Sequence, residues 1–316
     1  MELVLNDLSS QFPAENQYQA RKVMKSFLKV YQVAKSTAGT NRLILDRDYN
    51  YISLAKGYCI EQWRNDHEVE EEVKRVFRSL IQRSATYDSF PIEDAAEFEV
   101  DLCKRPSAGC LLAYLRSGCC LSFPGHEEWD IPFIKGSYRF MNEETDQIDS
   151  CEASVPNIAS EETASVFSQI FSEQIKREKR SSFHSGKDIL DCAPKKFPNL
   201  IFCKTASDQL MAEGRHNNVN QIARRLIELQ EYFETAIGAF DAQQLNHCTP
   251  ESKATLDQYK LEHTFLLPSG REELFSWHLR FTGEYGDGRI FFYPDMTSKK
   301  CYIGHIGHKL PTKMYH

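Results

Sequence analysis

Apolar residues at Ala20, Val23, Met24, Phe27, Leu28, Val30, Tyr31 and Ala34 recur at helical spacing, which predicts an amphipathic helix over 18–34. Short apolar runs at 42–45 and 51–54 predict strands. Asn65 with Glu68 three positions later reads as a capping box. It opens a helix whose Val69, Val73, Val76, Phe77, Leu80 and Ile81 share one face. Residues 96–101 read as extended, 108–116 as a short helix stopped at Gly118, and 119–123 as an apolar strand. The polar stretch 141–165 reads as a loop. Ser160 then caps a helix with the stripe Val166, Phe167, Ile170, Phe171 and Ile175.

Ser, Gly, Lys and two prolines between Ser181 and Pro198 mark a linker. Beyond it, 199–203 reads as a strand, 206–214 as a short helix and 219–237 as a long one. Thr249-Pro250 is expected to lead a helix over 251–263. Three strands follow, at 274–281, 289–293 and 300–306, with Asp287-Gly288 and Pro294-Asp295 as turns between them. The expected class is α+β. A mixed helical and strand N-terminal domain spans 1–180, a linker 181–198, and a domain of strand, helices and antiparallel meander 199–316.

Length and composition fit this division. The chain has 316 residues, 41% of them hydrophobic and 26% charged, enough for two packed cores and too apolar for a disordered chain. No apolar run is long enough to span a membrane. The first residues lack a basic region followed by an apolar stretch, so a cytoplasmic location is expected. Ten cysteines are scattered without a C-x-x-C pair, which reads as buried thiols. The net charge of −7 does not advertise a nucleic-acid binder. Locally, however, 289–316 holds five Lys or Arg, one acid and three His, a basic tail suited to phosphate.

The order strand, helices, meander resembles the RelE/ParE/HigB superfamily of small bacterial toxins. The resemblance rests on Trp277-His278-Leu279-Arg280, on Gly288-Arg289-Ile290-Phe291-Phe292, and on the run from Cys301 through Gly304-His305-Ile306-Gly307-His308 to Lys309. It implies a metal-independent endoribonuclease of the mRNA-interferase kind, in which the RNA 2′-hydroxyl attacks the adjacent phosphate. By position it implies His278 and Arg280 on the second strand, Arg289 on the third, and His305, His308 and Lys309 at the end of the fourth. The family often carries Lys where this chain has His. Segments 3–9 and 57–63 resemble uncharacterised bacterial proteins from mobile or defence-related loci. That resemblance implies a setting and no mechanism. The toxin resemblance of the C-terminal domain implies an RNA cleavage held in check until the N-terminal domain is triggered, with RNA (including ribosome-bound mRNA) and a protein activator or antitoxin as partners.

Cleaving RNA through its own hydroxyl needs a base, an acid and a stabiliser of phosphoryl charge. His278 and Arg280 lie two apart on a strand, so they share a face, which Arg289 joins if its strand pairs in register. The expected site therefore has His278, Arg280, Arg289, His305 and His308 as catalytic groups, with Lys300, Tyr302 and Lys309 binding substrate. No cofactor or metal is expected. His305-x-x-His308 has no third ligand at useful spacing, and Ser122 with His126 makes no nucleophile elbow. Against this stands the plainer reading of strand histidines as satisfied core residues, of Phe291 as core, and of Arg289 as paired with Glu284 or Asp287. The alternative function is a non-catalytic module that binds protein or nucleic acid.

Overall fold

The computed structural model describes all residues except 12, 41, 91, 93–95, 143–146, 181–182, 284–285 and 313–316. Among the described residues no helix is long and apolar enough to cross a membrane. The chain is an α+β protein that divides into two compact units. Unit 1 comprises Met1–Ser89, Ala95–Phe140 and Asp149–Arg180; unit 2 comprises Phe90–Asp94, Met141–Ile148 and Ser181–His316.

Unit 1 runs β1 (Leu3–Leu5), α1 (Gln17–Ala38), β2 (Leu43–Leu45), β3 (Ser53–Ala55), β4 (Tyr58–Cys59), α2 (Ile60–Asn65), α3 (Glu71–Ile81) and β5 (Ala85–Thr86). It continues with β6 (Glu97–Val100), β7 (Arg105–Pro106), α4 (Ala108–Leu115), β8 (Cys119–Leu121), β9 (Phe133–Asn142), β10 (Gln147–Ile158) and α5 (Glu161–Arg180). Its sheet has the order β5-β2-β1-β8-β10-β9-β6-β7. The first five of these strands pair in parallel. The central strands are unbroken buried runs, Leu-Val-Leu, Leu-Ile-Leu and Cys-Cys-Leu, as expected of parallel strands covered on both faces. Leu3, Leu5, Leu43, Leu45, Cys119 and Leu121 pack with α1, α3 and α5. Cys120 points the other way, its sulfur 3.8 Å from that of Cys110 on α4. Helices thus cover opposite faces of a doubly wound sheet.

Three local expectations for unit 1 are corrected. Asn65 ends α2 rather than capping the next helix; Asp66 Oδ1 accepts the Glu68 N–H at 2.8 Å, and α3 begins at Glu71. The strand expected over 51–54 is shifted to Ser53–Ala55, because Tyr51 lies in a 3-10 turn. The expected loop over 141–165 is largely the β9–β10 hairpin, whose β10 stays mostly exposed until its last residues. With so little burial the strand lacks the alternation that would betray it. Ser160 does cap α5, its oxygen accepting the Thr163 N–H at 3.2 Å.

Unit 2 runs α6 (Gly186–Lys196), β11 (Leu200–Phe202), α7 (Lys204–Ala212), α8 (His216–Thr235), β12 (Cys248–Pro250), α9 (Lys253–Gln258), β13 (Thr264–Leu266), β14 (Glu272–Leu274), β15 (Trp277–Gly283), β16 (Gly286–Asp295) and β17 (Lys300–His308). Its main sheet has the order β11-β17-β16-β15-β12. β15, β16 and β17 form an antiparallel meander, and β11 lies parallel to β17. Leu279, Phe281, Ile290, Phe292, Cys301, Ile303 and Ile306 pack against Val219, Ile222, Leu226, Leu229 and Phe233 of α8.

The expected linker is corrected too, because 186–196 is helical. Ser185 and Asp188 form a capping box, and Ile189 and Ala193 are buried in the unit 2 core. Gly186 is small because a Cβ there would meet the Leu210 carbonyl oxygen at 2.0 Å. Residues that resemble linker punctuation are therefore a cap and a close-approach glycine. Thr249-Pro250 likewise lies in β12, and α9 is capped by Ser252, whose oxygen accepts the Thr255 N–H at 3.1 Å.

Candidate functional site

The meander register aligns Arg280 with Arg289, His278 with Phe291, and Phe291 with His305. Strand alternation places His278, Arg280, Arg289, Phe291, Tyr302 and His305 on the face opposite α8, because their neighbours fill the α8 core. His308 falls on the other face. It pairs with Gly288, where a Cβ would strike the Phe281 ring of the α8 core at 2.2 Å. A bulge between Phe291 and Phe292 sets this register. The structure therefore brings together four of the five expected catalytic groups and leaves His308 apart, exposed.

Those four groups are mostly interior. His278 and Arg289 are 0% exposed and His305 is 7% exposed; Arg280 is half-buried. His278 Nε2 lies 2.9 Å from Thr249 Oγ1, and its Nδ1 lies 3.4 Å from Oε1 of the buried Glu251. The rings of His263 and His278 each stand 5.0 Å from the Phe291 ring, so Phe291 is core, as expected. His305 is held at both nitrogens. Gln209 Oε1 accepts the Ile306 N–H at 2.7 Å, so its amide nitrogen faces His305 Nδ1 at 2.9 Å and donates to it. The ring proton then resides on Nε2, which donates to the His308 carbonyl at 2.8 Å. Burial pushes this imidazole down to about 4, against a weaker opposing pull from the His308 carbonyl. Burial, with the guanidiniums of Arg225 and Arg280, also holds His247 well below its usual range.

His305 is thus hydrogen-bonded at both nitrogens, His278 faces a buried carboxylate and Arg289 is fully buried, which leaves Arg280 as the one of the four that is half-buried rather than interior. Lys300 donates to the Pro198 carbonyl at 2.9 Å, and Tyr302 lies 6.3 Å from Tyr293 between their ring centres. Lys309 follows β17 and is half-buried. Among the described residues no His, Cys, Asp or Glu cluster is arranged to hold a metal ion.

Unit 1 offers a different site. From β1 the chain crosses by α1 to β2, whereas from β8 it proceeds to β9 and β10 on the other side. β1 and β8 are hydrogen-bonded neighbours, so the strand order reverses between them, and the loops leaving their C-terminal ends must part. A buried polar chain fixes this point. Asn6 Nδ2 donates to Ser122 Oγ at 2.9 Å, and Ser122 Oγ donates to Asn157 Oδ1 at 2.8 Å. Asn157 Nδ2 reaches the carbonyls of Trp129 and Ile131 at 2.8 and 2.9 Å. Ser9 Oγ donates to the Asn6 carbonyl and accepts the Phe123 N–H at 3.0 Å. Ser122 therefore braces Asn6 against Asn157.

On the α4 side the switch point is closed by the protein itself. Asp7 Oδ1 accepts the Gly109 N–H at 3.0 Å and the Ser107 hydroxyl, filling the N-terminus of α4 with the chain's own carboxylate. On the α1 side it is open. A crevice of about 460 Å³ lies there, with Ser9 and Ser10 after β1, Phe123 and His126 after β8, Lys22 and Val23 on α1, and Leu54 on β3. Phe123 is anchored by stacking on Phe27 at 4.2 Å. The β3–β4 wall is tied to α1 through Asp66, which takes Arg21 Nε at 2.7 Å and the Tyr58 hydroxyl.

The sequence reading missed this crevice and missed Gln209, Thr249 and Glu251 as partners of the histidines. A usable signal for the crevice is present, namely Asn6-Asp7 and Ser122 standing directly after the apolar runs Leu3–Leu5 and Cys119–Leu121. Comparison of the chain with protein-family models, curated proteins and solved structures finds no match.

Proposed function

We propose that the protein binds a small organic molecule in the α1-side crevice of unit 1, and that unit 2 acts without catalysis. One observation carries the first part. A cavity of ligand size opens outside the carboxyl ends of β1 and β8, where the strand order of a parallel sheet reverses. There, diverging loops leave a gap by topology alone, and the buried Asn6–Ser122–Asn157 chain ties together the segments leaving β1 and β8, whose following residues Ser9 and Phe123 line it. For unit 2, burial of His278 and Arg289 supports the non-catalytic alternative over an endoribonuclease.

Ser53 is exposed on the crevice wall, so Ser53→Trp fills the gap without touching a core. Ligand-observed NMR against a diverse fragment library is expected to give hits that this variant loses. Hits retained in full by Ser53→Trp would overturn the reading.

A further inference from the structure

Helix α1 carries three cations over one stretch of its length, and two are matched to acids. Arg21 Nε lies 2.7 Å from Asp66 Oδ2, and Lys25 Nζ lies 2.6 Å from Glu70 Oε1. Lys22, between them, lines the crevice. Among the described residues no carboxylate pairs with it. Its ammonium instead lies 4.3 Å from the centre of the Tyr18 ring. Lys22 thus brings a positively charged side chain to a crevice that Val23, Leu54, Phe123 and the hydroxyl-bearing Ser10 also line. The one acid on the lining, Glu15, is exposed and sits 3.5 Å from the Gln19 amide.

We infer that the crevice takes an anionic ligand, an apolar or ring-bearing body carrying a phosphate or carboxylate, with Lys22 as its counter-ion. The inference rests on the crevice being a binding site and adds the chemical class of its occupant. Two features support it. A paired lysine would have to give up its carboxylate before meeting a ligand, whereas a lysine resting on an aromatic face exchanges only a weak contact for a charge-assisted hydrogen bond. The opposite face of the switch point already holds a carboxylate, Asp7, on an α4 amide. On the α1 face Lys22 has no such carboxylate among the described residues, and Glu15 of the lining is directed to Gln19.

The test uses matched probes on the full chain: AMP against adenosine, UMP against uridine, and 3-phenylpropionate against 3-phenylpropanamide, each titrated by NMR. The anionic member of at least one pair is expected to bind about tenfold tighter than its neutral partner, and Lys22→Gln to reduce that preference to about twofold or less. Glu15→Gln is expected to strengthen binding of the same anion. The phosphate and carboxylate arms tell the two headgroups apart. Failure of every anion to bind, or a preference that survives Lys22→Gln, overturns the inference. Neutral probes that bind the native chain and are lost in Ser53→Trp would leave the crevice standing while the anion falls.

Discussion

Protonating His305 should destabilise unit 2, because both of its nitrogens already have fixed roles. Nδ1 accepts from Gln209 and Nε2 donates to the His308 carbonyl. A second proton on Nδ1 would face an amide N–H and would have to be held in an almost dry site. The pKa of this imidazole falls from 6.5 to about 4 on folding. The unfolded chain therefore binds a proton that the folded chain refuses. The resulting stability is fully present above about pH 6.5 and is lost as pH falls towards 4. Across the whole interval the difference is worth about 3 kcal/mol, of which about 2 kcal/mol is gone at pH 5. Histidine-labelled ¹⁵N spectra recorded from pH 8 to 4 report it directly, with His305→Gln assigning the resonance. The expected spectrum shows an Nε2–H tautomer that does not titrate near neutrality. Gln209→Glu, which places a carboxylate against Nδ1, is expected to move the titration upward. A His305 that titrates near 6.5, or that carries its proton on Nδ1, would refute the reasoning.

Other consequences follow from the same contacts. His278→Ala empties a fully buried site and removes the contacts to Thr249 Oγ1 and Glu251, so it should cost about 2 kcal/mol or more in urea unfolding of unit 2, whereas His308→Ala at an exposed position should cost less. Asn157→Leu removes the donor to two carbonyls and the acceptor for Ser122. It should lower unit 1 stability by about 2 kcal/mol or more, read from its unfolding midpoint. Purified protein incubated with RNA in EDTA is expected to leave it intact; cyclic-phosphate ends formed by the native protein and lost in Arg289→Ala would restore a nuclease site to unit 2.

Much of the fold was legible because the strongest cues are periodic. The α1 stripe from Ala20 to Ala34 and the α8 stripe from Val219 to Phe233 emerge where the sequence places them, although Ile237, expected on the second, lies past the end of α8 and is exposed. The three meander strands emerge too, but Asp287-Gly288 and Pro294-Asp295, expected as turns between them, are paired inside β16. Polar capping chemistry was more ambiguous. Ser185 and Gly186 serve a packed helix with the same residues that mark linkers, and Asn65 sits at a helix end rather than a start. The shared face of His278, Arg280 and Arg289 was also legible, since strand alternation and antiparallel pairing determine it, whereas His305 joins it through the register shift in β17. Their burial was not. It depends on partners such as Glu251 and Gln209, on segments that no local pattern assigns to that face. Alternation alone separates His308 from His305, three positions away; the β17 bulge, a one-residue event invisible to a period-two count, decides that His305 is the one on the face of the arginines. The crevice depends on strand order, which emerges only when β8 inserts beside β1.

The most direct measurement is a crystal of the full chain soaked with mixed ring-bearing fragments and examined at the carboxyl ends of β1 and β8. Density for a bound fragment is predicted between Val23, Leu54 and Phe123, with any acidic group directed to Lys22. Fragments bound only elsewhere on the molecule, with this gap closed by its own side chains, would contradict a ligand site at the switch point.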